Sequence, residues 1–309
     1  MTFSQLRTFL EVARQGSVRG AAATLLITEP SVSAALAALR DEMQVPLVER
    51  EGRGIRLTAA GNELARHAAQ ILGLSDQAVR RVREAAGQAA PLKLVAVTTA
   101  SEYVLPPILK VYRQAHPGVQ LRMEVGNRAS VIDRLSAREA DLGFGGRPPE
   151  GRGLVGTPFL NNELIVVGPG DHPLAGEPAF EPARLSRETW LVREPGSGTR
   201  ETTEEFWAQS QFQVSSLMTL GSNGAVKQSA AAGLGITLIS RHAVAAQLAS
   251  GSLRALPVEG TPLRRSWYVL YPEDNPLSGS ASQFLDLVQS PGVKTAVDDW
   301  FGAAAIARP

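Results

Sequence analysis

From Thr58 to Gln88 the chain has no proline, and small or apolar residues recur at Leu64, Ala68, Ile71, Ser75, Ala78, Val82 and Ala85. The steps alternate between four and three, which is a heptad seam. Thr58, ahead of Ala59-Ala60, reads as an N-cap. The pattern predicts one helix ending near Ala86, roughly 40 Å long at the usual rise per residue. A helix of that length organises everything around it. It implies three domains: 1–58, the helix within 59–90, and 91–309, with Gly87 to Pro91 as a hinge. The seam itself has two readings, packing against its own domain or pairing with a second copy.

Both flanks have enough apolar material to fold. The 309 residues are 44% hydrophobic and 20% charged, close to the globular average, which excludes wholesale disorder. No stretch approaches the roughly 18 uninterrupted apolar residues of a membrane span, so no membrane is expected as a partner. Arg7, Glu11 and Arg14 break any signal-peptide pattern, so the cytoplasm is the expected compartment. There is no cysteine, which excludes disulfide scaffolds, thiol catalysis and thiol redox sensing. His67, His116, His172 and His242 stand far apart, at neither HExxH nor HxH spacing, so no metal site is expected. The net charge of +1 names no partner. Residues 1–90 hold eleven arginines against nine acidic residues. Any nucleic-acid contact there must rest on placement, not bulk charge.

Placement is informative in that zone. Phe3, Leu6, Leu10 and Ala13 recur at helical spacing, Gly16 stops the helix, and Ser17 caps the next, Val18 to about Leu26. Thr28 caps a third helix from about Pro30 to Glu42, with Glu29 and Pro30 in its first turn. Val32, Leu36 and Leu39 give it one buried face. Ser31, Ser33, Ala34, Ala37 and Arg40 are left toward solvent or a partner. Three short helices with a tight turn between the second and third form a helix-turn-helix pattern. Pro46 to Arg50 and Gly54 to Thr58 then read as two short strands, a wing bearing Arg50, Arg53 and Arg56. Arginines around a hairpin can reach phosphates or a minor groove. Glu49 and Glu51 leave an ordinary solvated hairpin as the equal alternative.

The order Phe9-Leu10-Glu11-Val12-Ala13, Gly16-Ser17, Ala21-Ala22, Thr28-Glu29-Pro30-Ser31-Val32-Ser33, Leu39, Leu47-Val48-Glu49-Arg50 and Leu57-Thr58-Ala59-Ala60-Gly61 resembles the LysR-type transcriptional regulators. The resemblance covers the first sixty residues, and the remainder has the length the family requires. It implies a winged helix-turn-helix whose third helix enters the major groove. Thr28, Glu29, Pro30, Ser31, Ser33 and Ala34 would contact DNA there, and Arg50, Arg53 and Arg56 would do so from the wing. It further implies homodimers or homotetramers joined through the linker helix, promoter DNA and RNA polymerase as partners, and no cofactor. Family members commonly carry Gln where Glu29 stands and longer polar side chains at Ala34 and Ala35. Glutamate can accept from cytosine N4 and alanine can touch a thymine methyl, but neither reads a purine bidentately. Specificity then leans on Ser31, Ser33, the wing and DNA shape.

Beyond Pro91, apolar runs alternate with helical patterns, as in α/β folds. Leu92 to Val97 reads as a strand, followed by Thr98-Thr99-Ala100-Ser101 and a helix from Tyr103 or Leu105. Hydroxyls delivered to a helix N-terminus suit an anion, although Ser and Thr cap most helices. Val119–Val125 and Asp141–Gly145 are further strands around a helix from Asn127 to Arg138. After the strands Glu163–Val167 and Thr189–Val192 comes Arg193-Glu194-Pro195-Gly196-Ser197-Gly198-Thr199-Arg200. Its glycines allow close approach of backbone N–H groups, Ser197 and Thr199 add hydroxyls, and Arg200 adds a fork for carboxylate or phosphate. An ordinary capped turn is the alternative. It matches neither a Walker A loop nor a Gly-x-Ser-x-Gly elbow.

Chain crossings near 160 and 267 resemble the two-lobed periplasmic-binding-protein fold of LysR effector domains, with lobe 1 at 91–161 and 268–309 and lobe 2 at 162–267. The expected fold is therefore α/β, with an N-terminal α-helical winged helix-turn-helix, a long linker helix and a two-lobed effector domain. Carried over onto this sequence, the resemblance puts Thr98, Thr99, Ala100, Ser101, Arg147, Ser197, Thr199, Arg200, Asn223 and Lys227 around an effector between the lobes. The run from Arg193 to Arg200, with Gly146-Arg147-Pro148-Pro149, also resembles the branch that regulates Calvin-cycle carbon fixation and a related branch in sulfur assimilation. The former implies phosphorylated sugars or a reduced nicotinamide nucleotide as effectors. Lack of cysteine removes the peroxide-sensing branch.

The leading reading is a transcription factor whose promoter binding responds to a small anionic metabolite. A transport-type or cytoplasmic solute-binding protein without a DNA role is the alternative, and the N-terminal zone counts against it. An enzyme is disfavoured, because Asp141 and Glu194 stand as single acids without a nucleophile–base pair, so no catalytic residue is assigned.

Overall fold

Side-chain caps decide where the first helices begin. In the computed structural model, which describes residues 1–52, 54–88, 91–211, 213–274 and 277–306, Thr2 and Gln5 form a capping box at the head of α1 (Phe3–Gln15). Ser17 caps α2 (Val18–Leu25) and Thr28 caps α3 (Glu29–Met43). Gly16 and Leu26 adopt the left-handed conformation and end α1 and α2. The turn at Leu26–Thr28 redirects the chain by 112° between α2 and α3, within the helix-turn-helix range. Leu6, Phe9, Leu39 and Leu47 close one small core, and Val12, Ala21, Ala22 and Val32 a second.

The wing is an antiparallel pair, β1 (Val48–Glu51) and β2 (Gly54–Leu57). Thr58 then caps α4 (Ala59–Ala85). Gly61 in its first turn passes so close to the wing that a Cβ there would lie 1.9 Å from the Leu47 carbonyl oxygen. The heptad seam divides its duties. Leu64 and Ala68 pack on the head's core, while Ile71 and Val82 stand exposed with Leu74, Val82 at 70%. The chain divides into two units, Met1–Ala90 with Ser136–Glu139, and Pro91–Leu135 with Ala140–Pro309.

The second unit opens with β3 (Leu92–Val97), which pairs in parallel with β4 (Leu121–Gly126) and β5 (Leu142–Gly145). The helix after β3 starts at Thr98, earlier than its sequence suggests, and widens to a π-turn over Ala100–Val104 before α5 (Leu105–Ala115). The cause is local: in a regular helix the rings of Pro106 and Pro107 would press on carbonyls one turn back. The wider turn lets the Leu105 N–H reach the Ala100 carbonyl. Helix α6 (Arg128–Ser136) links β4 to β5.

Two long strands carry the chain between lobes. The sequence pattern showed β6 only over Glu163–Val167, but it runs unbroken from Leu154 to Pro169. It pairs antiparallel with β11 (Leu263–Pro272), with a register shift between Trp267 and Tyr268. Leu160 and Trp267 belong to the core built on β3 and α5. Leu164 and Ile165, a few residues on, belong to cores of the second lobe. That lobe contains β7 (Thr189–Arg193) in parallel with β8 (Ser216–Leu220), helices α7 (Gly198–Ser210) and α8 (Asn223–Ala231), then β9 (Thr237–Ser240), α9 (Arg241–Ser250) and β10 (Leu253–Ala255). Strands β9 and β10 both pair with β6. Helices α10 (Gly279–Gln289) and α11 (Pro291–Ile306) follow β11, and Phe284 of α10 packs into the first-lobe core. No single described helix is long and apolar enough to cross a membrane.

Candidate functional site

A cleft of about 300 Å³ opens where three strands hand over to helices. From the first lobe come Thr98 and Thr99 at the end of β3, and Asn127 and Arg128 at the end of β4. From the second come Ser197, Gly198 and Thr199 at the end of β7. Each junction is a helix N-terminus, where the leading N–H groups have no intrahelical acceptor. In α7 the first such bond runs from the Glu201 N–H to the Ser197 carbonyl, so the N–H groups of Gly198, Thr199 and Arg200 precede it. In α6 the Asn127 side chain accepts from the Ser130 N–H at 2.9 Å. Ser197 is 5% exposed and its hydroxyl makes no capping bond. The helix dipoles and the free donors all favour negative charge in this space.

Arginine and glutamate share the rest of the lining. Arg193, 6% exposed, ends β7 and donates to Glu194 through Nε at 2.7 Å and Nη2 at 2.9 Å, and to Asn223 Oδ1 through Nη1 at 2.6 Å. Burial by itself would raise the Glu194 carboxyl, but the Arg193 hydrogen bond and charge outweigh it and hold the group below the usual carboxylate range. Arg128 pairs with Glu201 at 3.2 Å, and Arg265 of β11 pairs with Glu205. Arg147 lines the rim and has no carboxylate partner among the described residues. Asn162 and Leu164 of β6 and Trp267 and Tyr268 of β11 complete the wall.

Of the residues expected around an effector, the structure brings Thr98, Thr99, Arg147, Ser197 and Thr199 to the cleft. Five others lie outside its lining. Ala100 is buried in the first-lobe core. Ser101 spends its hydroxyl on the Thr98 carbonyl at 2.9 Å. Arg200 was expected to fork an anion, but it donates to Glu204 at 2.7 Å and to the Arg193 carbonyl at 3.2 Å, because Glu204 lies one helical turn further on the same face. Asn223, fully buried, donates to Thr99 Oγ1 at 2.9 Å and so ties one lobe to the other behind the cleft. Lys227 makes a second tie, donating to Tyr103 OH at 2.8 Å and to the Ala243 carbonyl at 2.9 Å. Burial lowers its pKa and pushes Tyr103 up to about 12. Among the described residues no cluster of three His, Asp or Glu could hold a metal ion.

In the head unit, the expected DNA-contacting positions Thr28, Glu29, Pro30, Ser31, Ser33 and Ala34 are all exposed on the first two turns of α3, while Val32 and Leu39 are buried behind them. Thr28 and Ser31 hydroxyls bond each other at 2.8 Å. In the wing, Arg56 lies opposite Glu49 in register and pairs with it at 2.9 Å, with Glu51 at 3.8 Å. Arg50 is exposed and carries no ion pair among the described residues. Arg53 lies outside the described residues.

Family models match both units. One, described as the LysR substrate binding domain, matches residues 85–291, and another, the bacterial regulatory helix-turn-helix protein of the lysR family, matches residues 3–62. The chain is a LysR-family transcriptional regulator. The RuBisCO operon transcriptional regulator of Allochromatium vinosum is 37% identical over 94% of this chain and 96% of its own length. That of Acidithiobacillus ferrooxidans is 38% identical over 92% of each. Among solved structures, the regulatory domain of CcmR from Synechocystis PCC6803, in complex with 2-PG, is 34% identical with a TM-score of 0.62, covering 64% of this chain and 95% of that one. Both of these curated relatives are regulators of the carbon-fixation branch.

For a LysR regulator of this branch the cleft residues that the sequence reading missed include Asn127, Arg128, Arg193 and Arg265. Asn127 and Arg128 occupy the same strand-to-helix position as Thr98 and Ser197, so the rule that found those two would have found them. Arg193 is a lone charge ending an apolar strand, a signal that was present. Arg265 carried none, because only the long-range pairing of β6 with β11 brings it to the cleft.

Proposed function

We propose that this LysR regulator controls a carbon-fixation operon and that a compact anion in the cleft, a phosphorylated small carboxylate, alters its grip on promoter DNA. The observation carrying the effector class is the convergence of three helix N-termini, buried Arg193 and the Ser197 hydroxyl, which makes no capping bond, on one cleft of about 300 Å³. That volume is at the small end for ligand pockets. In this reading the hydroxyls of Thr98, Thr99, Ser197 and Thr199 and the N–H groups of α7 hold the anion, and Arg147 closes over it. The relative CcmR, whose regulatory domain binds 2-PG (2-phosphoglycolate), supports that class.

The exposed first turns of α3 enter the major groove with Thr28, Glu29, Pro30, Ser31, Ser33 and Ala34, and Arg50, Arg53 and Arg56 address phosphates. Two copies join through the apolar stripe Ile71, Leu74 and Val82 of α4, giving a homodimer or homotetramer on a two-part site in the cytoplasm, where RNA polymerase is the promoter partner. Differential affinity of a few kcal/mol for two lobe arrangements is enough to switch it.

The test is fluorescence anisotropy on the promoter fragment of the chain's own carbon-fixation operon and on a scrambled duplex, with and without 2-phosphoglycolate. The expected result is preference for the promoter and a severalfold change in its Kd with the anion. Equal binding to both duplexes, or a Kd and melting temperature indifferent to phosphorylated anions, overturns the proposal.

A further inference from the structure

The cleft already contains an anion of its own. Arg128 extends from α6 of the first lobe toward the start of α7 in the second. A Cβ placed on Gly198 would lie 3.6 Å from its Cδ, and one on Gly146 would lie 3.2 Å from its Nη1. A guanidinium there faces the positive end of the α7 dipole and the N–H groups of Gly198 and Thr199, with Arg193 and Arg147 also lining the cleft. Like-signed groups converging in a partly closed space repel. Glu201, in the first turn of α7, relieves this by pairing with Arg128 at 3.2 Å. The Glu201 side chain is half exposed and Arg128 is about one quarter exposed, so the carboxylate has solvent to retreat into and the guanidinium has much less.

We infer that Glu201 is a resident competitor for the effector: an entering anion displaces its carboxylate from Arg128 and takes its place between Arg128 and the N-terminus of α7. This rests on the anion-binding reading of the cleft and adds the regulation of that site. Because Arg128 belongs to one lobe and Glu201 to the other, the exchange replaces a protein–protein tie across the cleft with a ligand-mediated one. Glu201 then sets the concentration at which the regulator responds. An anion bearing a single weak charge gains little over the carboxylate it displaces, whereas a phosphate dianion, with more charge and more acceptor oxygens, gains more.

The experiment is calorimetric titration of the full chain with inorganic phosphate and with 2-phosphoglycolate, using wild type, E201Q, E204Q and the pair R128A and R128A/E201Q. Glu204 provides the control: it sits on the same helix, carries the same charge, and pairs with Arg200 outside the cleft lining. The expected result is roughly tenfold tighter binding of both anions by E201Q, from one carboxylate removed at contact distance. E204Q should match wild type, and E201Q should confer no gain in the R128A background. If wild type and E201Q bind equally, or if E201Q and E204Q gain equally, the competitor role is overturned while the anion site stands. If neither wild type nor E201Q binds either anion, the anion site itself falls and the competitor role with it.

Discussion

Arginine is used in opposite ways in the cleft and in the wing. Arg193 is buried and meets Glu194 and Asn223, while Arg128 and Arg265 each hold a glutamate. In the wing, Arg50 is exposed and has no ion pair among the described residues, and Arg56 rests on Glu49 at the surface. The difference follows from desolvation. A guanidinium taken out of water must be compensated in every state of the protein, whereas one left in water can wait for a phosphate at little cost. Buried charge in the cleft, Arg193 above all, is therefore part of the fold and reaches a ligand only by exchange of partners, whereas Arg147 at the rim has no carboxylate to exchange among the described residues. Charge in the wing is available at once and is screened by salt.

The strongest test of this contrast is R193M. Removing the guanidinium leaves Asn223 Oδ1 buried and Glu194 without its partner, and should cost about 3 kcal/mol in urea unfolding as well as abolishing anion binding. The matching R50A should leave stability unchanged. If R193M unfolded at the wild-type midpoint, the buried network would be incidental.

Next in size is G61A. A methyl at this position meets the Leu47 carbonyl oxygen at 1.9 Å, so the wing and the start of α4 cannot both keep their places. A loss of about 2 kcal/mol is expected, in the range of backbone-clash substitutions. It should fall on DNA binding, with anion binding by the cleft retained. Loss of both together would mean that the two units do not fold independently.

What the sequence made legible follows the same division. The head was readable almost to the residue, because Ser17, Thr28 and Thr58 act on helices within three residues of themselves, and caps are local chemistry. The cleft was readable at two strand-to-helix corners and at Arg147 on its rim. Arg200 was misplaced because a run of polar residues after a strand does not say which side chain turns inward, and Glu204 settled that by pairing with it along the helix. Asn223 and Lys227 proved to be ties between lobes, with partners at Thr99 and Tyr103 more than a hundred residues earlier. Strand β6 looked short because its first half alternates among Gly156, Thr157, Pro158 and Asn161, and its extent depends on β11, far along the chain.

A smaller effect separates the two wing arginines. R50A should weaken binding to promoter and random duplex alike and reduce the salt slope by about one, the signature of one lost phosphate contact. R56A should do less, since Glu49 already neutralises that side chain. The reverse order would show that Glu49 releases Arg56 on DNA, and would make the wing resemble the cleft in working by exchange.

The smallest effect concerns a histidine that never needs its charge. His242, at the start of α9, is half-buried with its ring 4.7 Å from that of Phe301. Burial lowers its pKa below 6.5 despite the opposing pull of Asp298 and Glu163. The folded state therefore holds the neutral ring, and as pH falls through 6.5 the unfolded chain takes up the proton first. Stability is full above that point, declines as pH falls toward the depressed folded value, and levels off below it. Urea unfolding of the full chain at pH 7.5 and pH 5.5 should show this loss in wild type, and H242Q should show less of it. The head transition should not share the effect, since His242 belongs to the other unit. An identical pH dependence in H242Q would assign the loss to other groups.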